Sequence, residues 1–421
     1  MISAVDQASA QQPTTQDGHT TLIGKRRQEA YDVINNSQDE VFQITLYDWY
    51  LAQGWSDRLL DIDSPFVINY LQRTSQTQVA HADLLWRYYA HYDDFLEAAK
   101  VQLGLAKSTF DLTLEQRIEY LSRARANAST KSLGTANNGR PRQSRQELMR
   151  EVSDMIDLAQ IQADLLQRMR SDVRLSAERR PQVIQQLNGQ ILPLDELFNG
   201  YIDQAGYHDL SLVVYQTADH RAASDIRATW QNLLEAAHQE AESAGDVTPW
   251  EAVAEKVRNL GVRLSMSEST FPICKFPPSH SNLILPTNSP SPAVVLPMLL
   301  RYSYEYQHNV GPTTWVLDIF LDLSVSHEVL VSILEAMYYN NETPFEGRNR
   351  RPVAVNMLHV IQRWYSDSAQ SAGRAFGSEE NAAAVSELLK EVVEGGGSGL
   401  GEEELEACRT VRVRIEQGLR R

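Results

Sequence analysis

From Lys25 onward the apolar residues recur at intervals of three and four, and almost nowhere at intervals of two. That period is the signature of a helix with one buried face; a half-buried strand alternates at every second residue. No convincing β-hairpin signal and no strand–helix–strand rhythm interrupts it. "HADLLWRYYAHYDDFLEAAK" sets Leu85, Tyr88, Tyr92, Leu96 and Ala99 on one face, read as a single helix. "LTLEQRIEYLSRARANA" opens with Thr113 and Gln116 at capping-box spacing and continues through Leu114, Ile118 and Leu121. "SRQELMREVSDMIDLAQIQADLLQRMR" and "HRAASDIRATWQNLLEAAHQEAES" are two longer amphipathic helices. Short helices follow one another with tight turns and no strict repeat. The predicted fold class is therefore all-α: an irregular α-helical solenoid of stacked short antiparallel helices, elongated, each pair burying its face on the next.

Interruptions in the period divide the chain. Residues 1–25 read as a disordered N-terminal tail, and 26–127 as the N-terminal helical part. Residues 128–144, "ASTKSLGTANNGRPRQS", read as a mobile loop rich in Ser, Gly and Asn, ahead of a middle helical part at 145–270. The prolines of 271–292 forbid a regular helix, so that segment is predicted as an extended linker. A C-terminal helical part spans 293–394, a Gly-rich connector 395–401 and a final helix 402–421. Glu402, Glu403 and Glu404 open that helix and Arg420 and Arg421 close it, as the helix dipole favours.

Within "FQITLYDWYLAQGWSDRLLDIDSPFVINYL", Phe42, Leu46, Trp49 and Tyr50 fall on one helical stripe, with Trp49 as the expected wedge. Gly54 stands where a C-terminal glycine belongs, and Ser64 with Pro65 supplies the next N-cap and first turn. Asp48 lies off the stripe with no catalytic partner nearby in sequence.

Charge and cysteine content exclude several classes of function. The net charge of −16 repels nucleic-acid phosphates and anionic lipid, so the expectation is no nucleic-acid partner and no direct membrane insertion. Lys131, Arg140 and Arg142 are dispersed in the loop and read as solvated. Cys274 and Cys408 are too few for a disulfide framework or a four-ligand zinc site, and point to a reducing compartment; packing is the reading for Cys408.

The best enzyme candidate is "DDFLE", residues 93–97. On an all-helical protein it matches the aspartate-rich motif of terpenoid synthases, whose carboxylates, a helical turn apart, hold magnesium against a diphosphate. The second metal motif is defective: in "DLSVSHEVL", Asp322 and Ser326 fit but position 330 is Leu. His327 lacks the second His of a zincin helix. No phosphate-binding loop and no nucleophile context occurs. The expectation is no enzyme, no catalytic residue, no metal and no cofactor. Aromatics remain: Tyr302, Tyr304 and Tyr306 before Trp315, then Tyr338, Tyr339 and Phe345. Each is read first as glue between helices, but together they are the candidate lining of a groove for a linear peptide.

The order "LYDW", "SPF", "LEQRIEYLSRARANA", "TWQNLL", "YQHNVGPTTWVLDIFL", "MYYNNETPFEGRNRR" and "MLHVIQRWY" resembles the C-terminal α-solenoid region of the large inner-ring scaffold nucleoporin of the nuclear pore complex. The resemblance spans roughly residues 26–370, and its last motifs are long and specific. It implies a non-enzymatic scaffold in the nucleus, at the inner ring of the pore in the nuclear envelope. Its implied partners are disordered linker nucleoporins, held through short linear motifs and including the linker that carries GLFG repeats, and other inner-ring nucleoporins. Family members join a β-propeller to this solenoid; nothing in residues 1–25 resembles the propeller, so the chain reads as an excised C-terminal fragment. Membrane-curvature sensing goes with the propeller and is not carried over. A vesicle-coat solenoid shares the architecture but not the C-terminal motifs.

Overall fold

The computed structural model describes residues 18–35, 37–130, 142–264, 295–307, 314–340, 343–371, 375–394 and 399–419. The Pro-rich segment, Cys274 and most of the 128–144 loop lie outside them. The chain divides into two units, Met1–Pro193 and Leu194–Arg421, and among the described residues each is built from helices and turns without a strand.

The first unit holds α1 (Gly18–Asn35), α2 (Glu40–Ala52), α3 (Asp57–Leu60), α4 (Pro65–Thr74), α5 (Val79–His91), α6 (Phe95–Lys107), α7 (Leu114–Ser129), α8 (Arg142–Ser171) and α9 (Arg179–Leu187). From α4 onward each packs on the next in sequence. The second unit begins with α10 (Leu194–Leu197), which runs through a π turn at Phe198–Ile202. It continues with α11 (His208–Thr217), α12 (Ala223–Ala244), α13 (Pro249–Leu264), α14 (Val295–Tyr306) and α15 (Trp315–Asp322). It closes with α16 (His327–Asn340), α17 (Arg351–Ser371), α18 (Glu379–Glu394) and α19 (Glu402–Leu419). Pairing is again between near neighbours in sequence, α11 with α12, α12 with α13, α16 with α17 and α18 with α19. This is the stacking order of a helical solenoid.

Several boundaries differ from the sequence expectation. α1 begins at Gly18, so residues 18–25 are helical rather than tail. Leu22 and Ile23 lead into "GKRRQEA", a run of mostly good helix formers that carries the helix back. Both ends of the predicted 128–144 loop are helical instead: α7 holds residues 128 and 129, and α8 contains 142–144.

One turn recurs. Trp55 N–H donates to Tyr50 C=O while Gly54 N–H donates to Leu51 C=O, with Gly54 at φ +74°. The same pair of bonds closes helices at Asp93, Gly206, Asp219 and Ser324, all with positive φ. This is the Schellman ending, in which a left-handed residue lets two last-turn carbonyls find donors. At Asp93 it breaks the single helix read across 81–100 into α5 and α6.

The first core of the first unit gathers Leu46, Tyr47, Tyr50, Leu59, Val67, Tyr70, Leu71, Leu85 and Tyr88. The buried face of α2 is Gln43, Leu46, Tyr47 and Tyr50, one position round from the predicted stripe. Phe42 is exposed, and Trp49 is half-buried against Trp55, edge to face with centroids 5.1 Å apart. Gln43 takes the inner position because its amide donates to the carbonyls of Ile34 and Ser37 at 2.9 and 3.0 Å, tying α1 to α2. Asp48 has a structural partner, the Tyr70 hydroxyl at 2.6 Å. Ser64 caps α4 through the Phe66 amide, and the Thr113–Gln116 capping box is formed.

α7 buries a cation. Arg117 is 1% exposed, and its guanidinium donates to the carbonyls of Ala106 (2.9 Å), Ser108 (2.7 Å), Phe110 (2.7 Å) and Leu112 (3.3 Å). These carbonyls line the end of α6 and the turn after it, where the helix dipole is negative. Burial lowers the guanidinium pKa and nearby Asp111 opposes that shift, but an arginine stays charged. Gln162 plays a neutral counterpart on α8, bonded at 2.8 Å to the Leu187 and Gln190 carbonyls and to the Leu192 amide.

Candidate functional site

The aromatics singled out from the sequence all lie in the second unit, on α14, α15, α16 and the turn beyond. Helical geometry sorts them. Tyr302 and Tyr306 are four apart and share a face of α14, while Tyr304, two residues along, points round the other side. Tyr302 is buried, its hydroxyl 2.8 Å from Nδ1 of His238 on α12. Tyr306 leans tilted against both, its ring centroid 5.1 Å from that of Tyr302 and 4.5 Å from that of His238, yet stays 47% exposed. Burial drives the Tyr302 phenol pKa well up, with Tyr306 adding to it.

On the opposite side, Tyr304 is 40% exposed and stands edge-on to Phe345, 5.6 Å away and itself buried. Tyr338 is buried with the Arg350 guanidinium 5.3 Å above its ring, and Tyr339 meets Tyr338 edge to face at 5.3 Å. The exposed Tyr339 hydroxyl donates to the Glu391 carboxylate of α18. Burial raises the carboxyl pKa of Glu335, one turn earlier, and Glu391 adds to it. Trp315 is interior: its Nε1 donates to Gln307 Oε1 at 2.9 Å, Ser303 donates to the same oxygen at 2.6 Å, and Trp250 lies 6.1 Å away. With its one donor satisfied, Trp315 has no polar group left for a ligand.

Of the seven residues, then, Tyr302, Trp315, Tyr338 and Phe345 are buried between elements. Tyr304, Tyr306 and Tyr339 present rings to solvent. The contacts bring together Tyr302 with Tyr306, Tyr304 with Phe345, and Tyr338 with Tyr339; they do not draw all seven into one cluster. His238 and Arg350 belong to these groups and were not read from the sequence, because both contacts are long-range and neither residue sits in an aromatic run. The first unit holds a further group that went unread. There the Arg58 guanidinium lies 4.2 Å from the Trp55 centroid and 4.8 Å from that of Tyr31, donating to the Tyr31 hydroxyl at 2.6 Å. The Trp55–Arg58 spacing of one helical turn was the available signal.

The carboxylate motif loses its geometry. Asp93 is the left-handed residue ending α5 and Asp94 the residue before α6, so the two do not stand a helical turn from Glu97 on one helix. Glu97 pairs with Lys100 at 2.8 Å. "DLSVSHEVL" is split by the Ser324 turn, and Leu330 is buried. Among the described residues no group of three or more His, Cys, Asp or Glu side chains is placed to hold a metal, and no helix is long and apolar enough to cross a membrane. Cys408 is buried on α19, its thiol pushed up to about 11 by desolvation.

Residues 1–276 and 286–397 match the family described as non-repetitive/WGA-negative nucleoporin C-terminal. Nucleoporin NUP170 of Chaetomium thermophilum is 37% identical over 92% of this chain and 28% of its own length. A probable nucleoporin of Schizosaccharomyces pombe is 34% identical over 82% of this chain and 24% of its own. The chain thus spans about a quarter of the length of these relatives. Among solved structures, the Chaetomium thermophilum Nup170 CTD in its complex with Nup145N superposes with a TM-score of 0.82 at 33% identity, covering 99% of this chain and 78% of that one. Stacked helices in the expected order and a family match over most of the residues agree: the chain belongs to the non-repetitive/WGA-negative nucleoporin C-terminal family and is a nuclear pore complex nucleoporin of the nucleus.

Proposed function

We propose that this chain is a non-enzymatic scaffold segment of the pore's inner ring that holds short linear segments of disordered linker nucleoporins. Through that grip it supports pore assembly and the transport of protein and mRNA. The observation that carries the reading is the likeness to a Nup170 CTD solved together with Nup145N, over nearly all of this chain. The surface chemistry is compatible with it. Tyr304, Tyr306 and Tyr339 offer large, rigid rings with polar tips, the residue type that supplies contact area at low entropic cost. Buried Tyr302, Phe345 and Tyr338 hold those rings from beneath, and Trp315 fixes the core behind them.

Calorimetric titration of the full chain with peptides tiled along a linker nucleoporin tests this. At least one peptide is expected to bind with a Kd below about 10 µM. Tyr304→Ala, Tyr306→Ala or Tyr339→Ala is expected to weaken it by roughly tenfold or more, with helicity unchanged. If no tiled peptide binds at about 100 µM, the linker reading fails. If a peptide binds and all three variants bind it equally, the aromatic residues are not the contact surface.

A further inference from the structure

We propose that Glu335 and Glu391 make the surface around Tyr339 selective for arginine, so that the linear segment this chain holds presents an arginine side chain there. The inference rests on the reading of the chain as a holder of linker segments, and it names the chemistry that one part of its surface selects.

Glu335 and Tyr339 are four residues apart on α16 and so share a face of that helix. Glu391 reaches the same place from α18, accepting the Tyr339 hydroxyl. Burial raises both the Glu335 carboxyl and the Tyr339 phenol, and the Glu391 charge adds to each. Glu335 is half-buried, so it has already given up part of its hydration. Among the described residues neither carboxylate is paired with a cation. Lys390, next to Glu391 in sequence, pairs with Glu387 at 3.0 Å, and the Arg350 guanidinium lies over the neighbouring ring of Tyr338. A half-buried carboxylate that faces a second one without a counter-charge costs free energy. A cation carried by a partner removes that cost.

Arginine suits this surface better than lysine. Its planar guanidinium lies on an aromatic face and bonds carboxylates through a fork of donors. Exposed Tyr339 offers the ring, and Glu335 and Glu391 the acceptors. The chain uses the same contact internally, with Arg350 5.3 Å from the Tyr338 centroid and Arg58 4.8 Å from that of Tyr31. Charge is distributed to match. The first unit has 21 basic against 24 acidic side chains and the second 18 against 31, so −13 of the net −16 lies in the unit that holds the exposed tyrosines. Tyr306 repeats the pairing: Glu305 beside it and Glu235 of α12 both act on its phenol. Tyr304 stands against Phe345 instead and remains the apolar contact.

The test is a double-mutant cycle on the full chain. Peptides tiled along a linker nucleoporin are titrated by calorimetry into the parent and into E335Q/E391Q, where glutamine still accepts the Tyr339 hydroxyl. Each peptide that binds is repeated with its arginines changed to alanine. The double variant is expected to weaken binding at least about fivefold, the alanine peptide by a similar factor, and both changes together by little more than either. E402Q/E403Q, which removes the same charge from an exposed turn of α19, is expected to alter affinity by less than about twofold. In the free chain E335Q, relieved of the facing charge, is expected to melt about 1–2 °C higher. Equal binding by the parent and E335Q/E391Q overturns the proposal and leaves the linker reading standing. So do losses that simply multiply, or an equal loss in E402Q/E403Q. A melting temperature in E335Q no higher than the parent's overturns it as well, since the carboxylate then has its partner within the fold. If no tiled peptide binds, the linker reading fails and this one falls with it.

Discussion

Arg117 is the side chain whose removal tests the packing argument most sharply. Its guanidinium satisfies four carbonyls at the end of α6 and in the following turn. The bonds to Ala106 and Leu112 are buried and those to Ser108 and Phe110 only partly so. Removing the donor leaves the first two unsatisfied at about 1–3 kcal/mol each, while water reaches the other two, at about 0.5 kcal/mol each. Arg117→Ala is therefore expected to destabilise by about 5 kcal/mol, a large share of a typical domain's stability. Arg117→Lys keeps the charge but lacks the planar fork that reaches four acceptors, and is expected to cost about 2 kcal/mol. Chemical denaturation of the full chain followed by circular dichroism gives the ranking. Amide exchange over 106–117 shows whether the loss is local. If Arg117→Ala unfolds within about 1 kcal/mol of the parent, the cation's desolvation cancels its bonds, and the carbonyls of this turn do not depend on it.

Other perturbations follow the same geometry. Tyr50→Ala is expected to cost about 3–5 kcal/mol and half-buried Trp49→Ala only about 1–2 kcal/mol, and equal losses in denaturation would contradict the observed α2 face. Ser324→Gly relieves a left-handed non-glycine residue and is expected to stabilise by about 0.5 kcal/mol in the same assay. Burial lowers the pKa of His81 and of His327, whose shift Asp367 opposes. A folded value below the unfolded 6.5 means their stability contribution is present above that pH and lost as pH falls through the folded value. Melting temperature against pH is thus expected to fall less steeply below 6.5 in His327→Gln than in the parent. With its thiol at about 11, Cys408 is expected to resist alkylation at pH 8 in the folded chain and to react in denaturant, as peptide mass spectrometry would show.

Helix content was legible because one-sided burial leaves a period that any helix of this length must show. Faces and endings were less so. The α2 stripe was misplaced by one position because Gln43 is polar in composition but spends its amide on two carbonyls of the α1 end, and so packs as a core residue. Of the five Schellman endings, those at Gly54 and Gly206 fall on the residue type that marks them. Those at Asp93, Asp219 and Ser324 do not: each adopts a conformation that glycine would take at lower cost. That is also why "DDFLE" looked like a metal motif: the pattern assumes a continuous helix, and the left-handed Asp93 ends one before Phe95 starts the next.

The aromatic residues illustrate the remaining gap. Three tyrosines at every second position look like a single row, but on α14 that spacing divides them between two faces. Each side then finds partners far away in sequence: His238 for Tyr302 and Tyr306, Phe345 for Tyr304. A ring whose polar atom is already bonded inside the fold, as in Trp315 with Gln307, contributes stiffness rather than recognition. Under the proposed function, recognition would fall to rings that keep solvent exposure while anchored on one side, and Tyr304, edge-on to Phe345, meets both conditions. Phe345→Ala should accordingly lower peptide affinity without touching the peptide, by freeing Tyr304 to sample other rotamers. Tyr304→Phe should lower it only if the phenol oxygen itself is bonded. Measuring both affinities separates ring placement from hydroxyl contact. Wild-type affinity in Phe345→Ala, with the fold intact, would mean that Tyr304 needs no support from beneath.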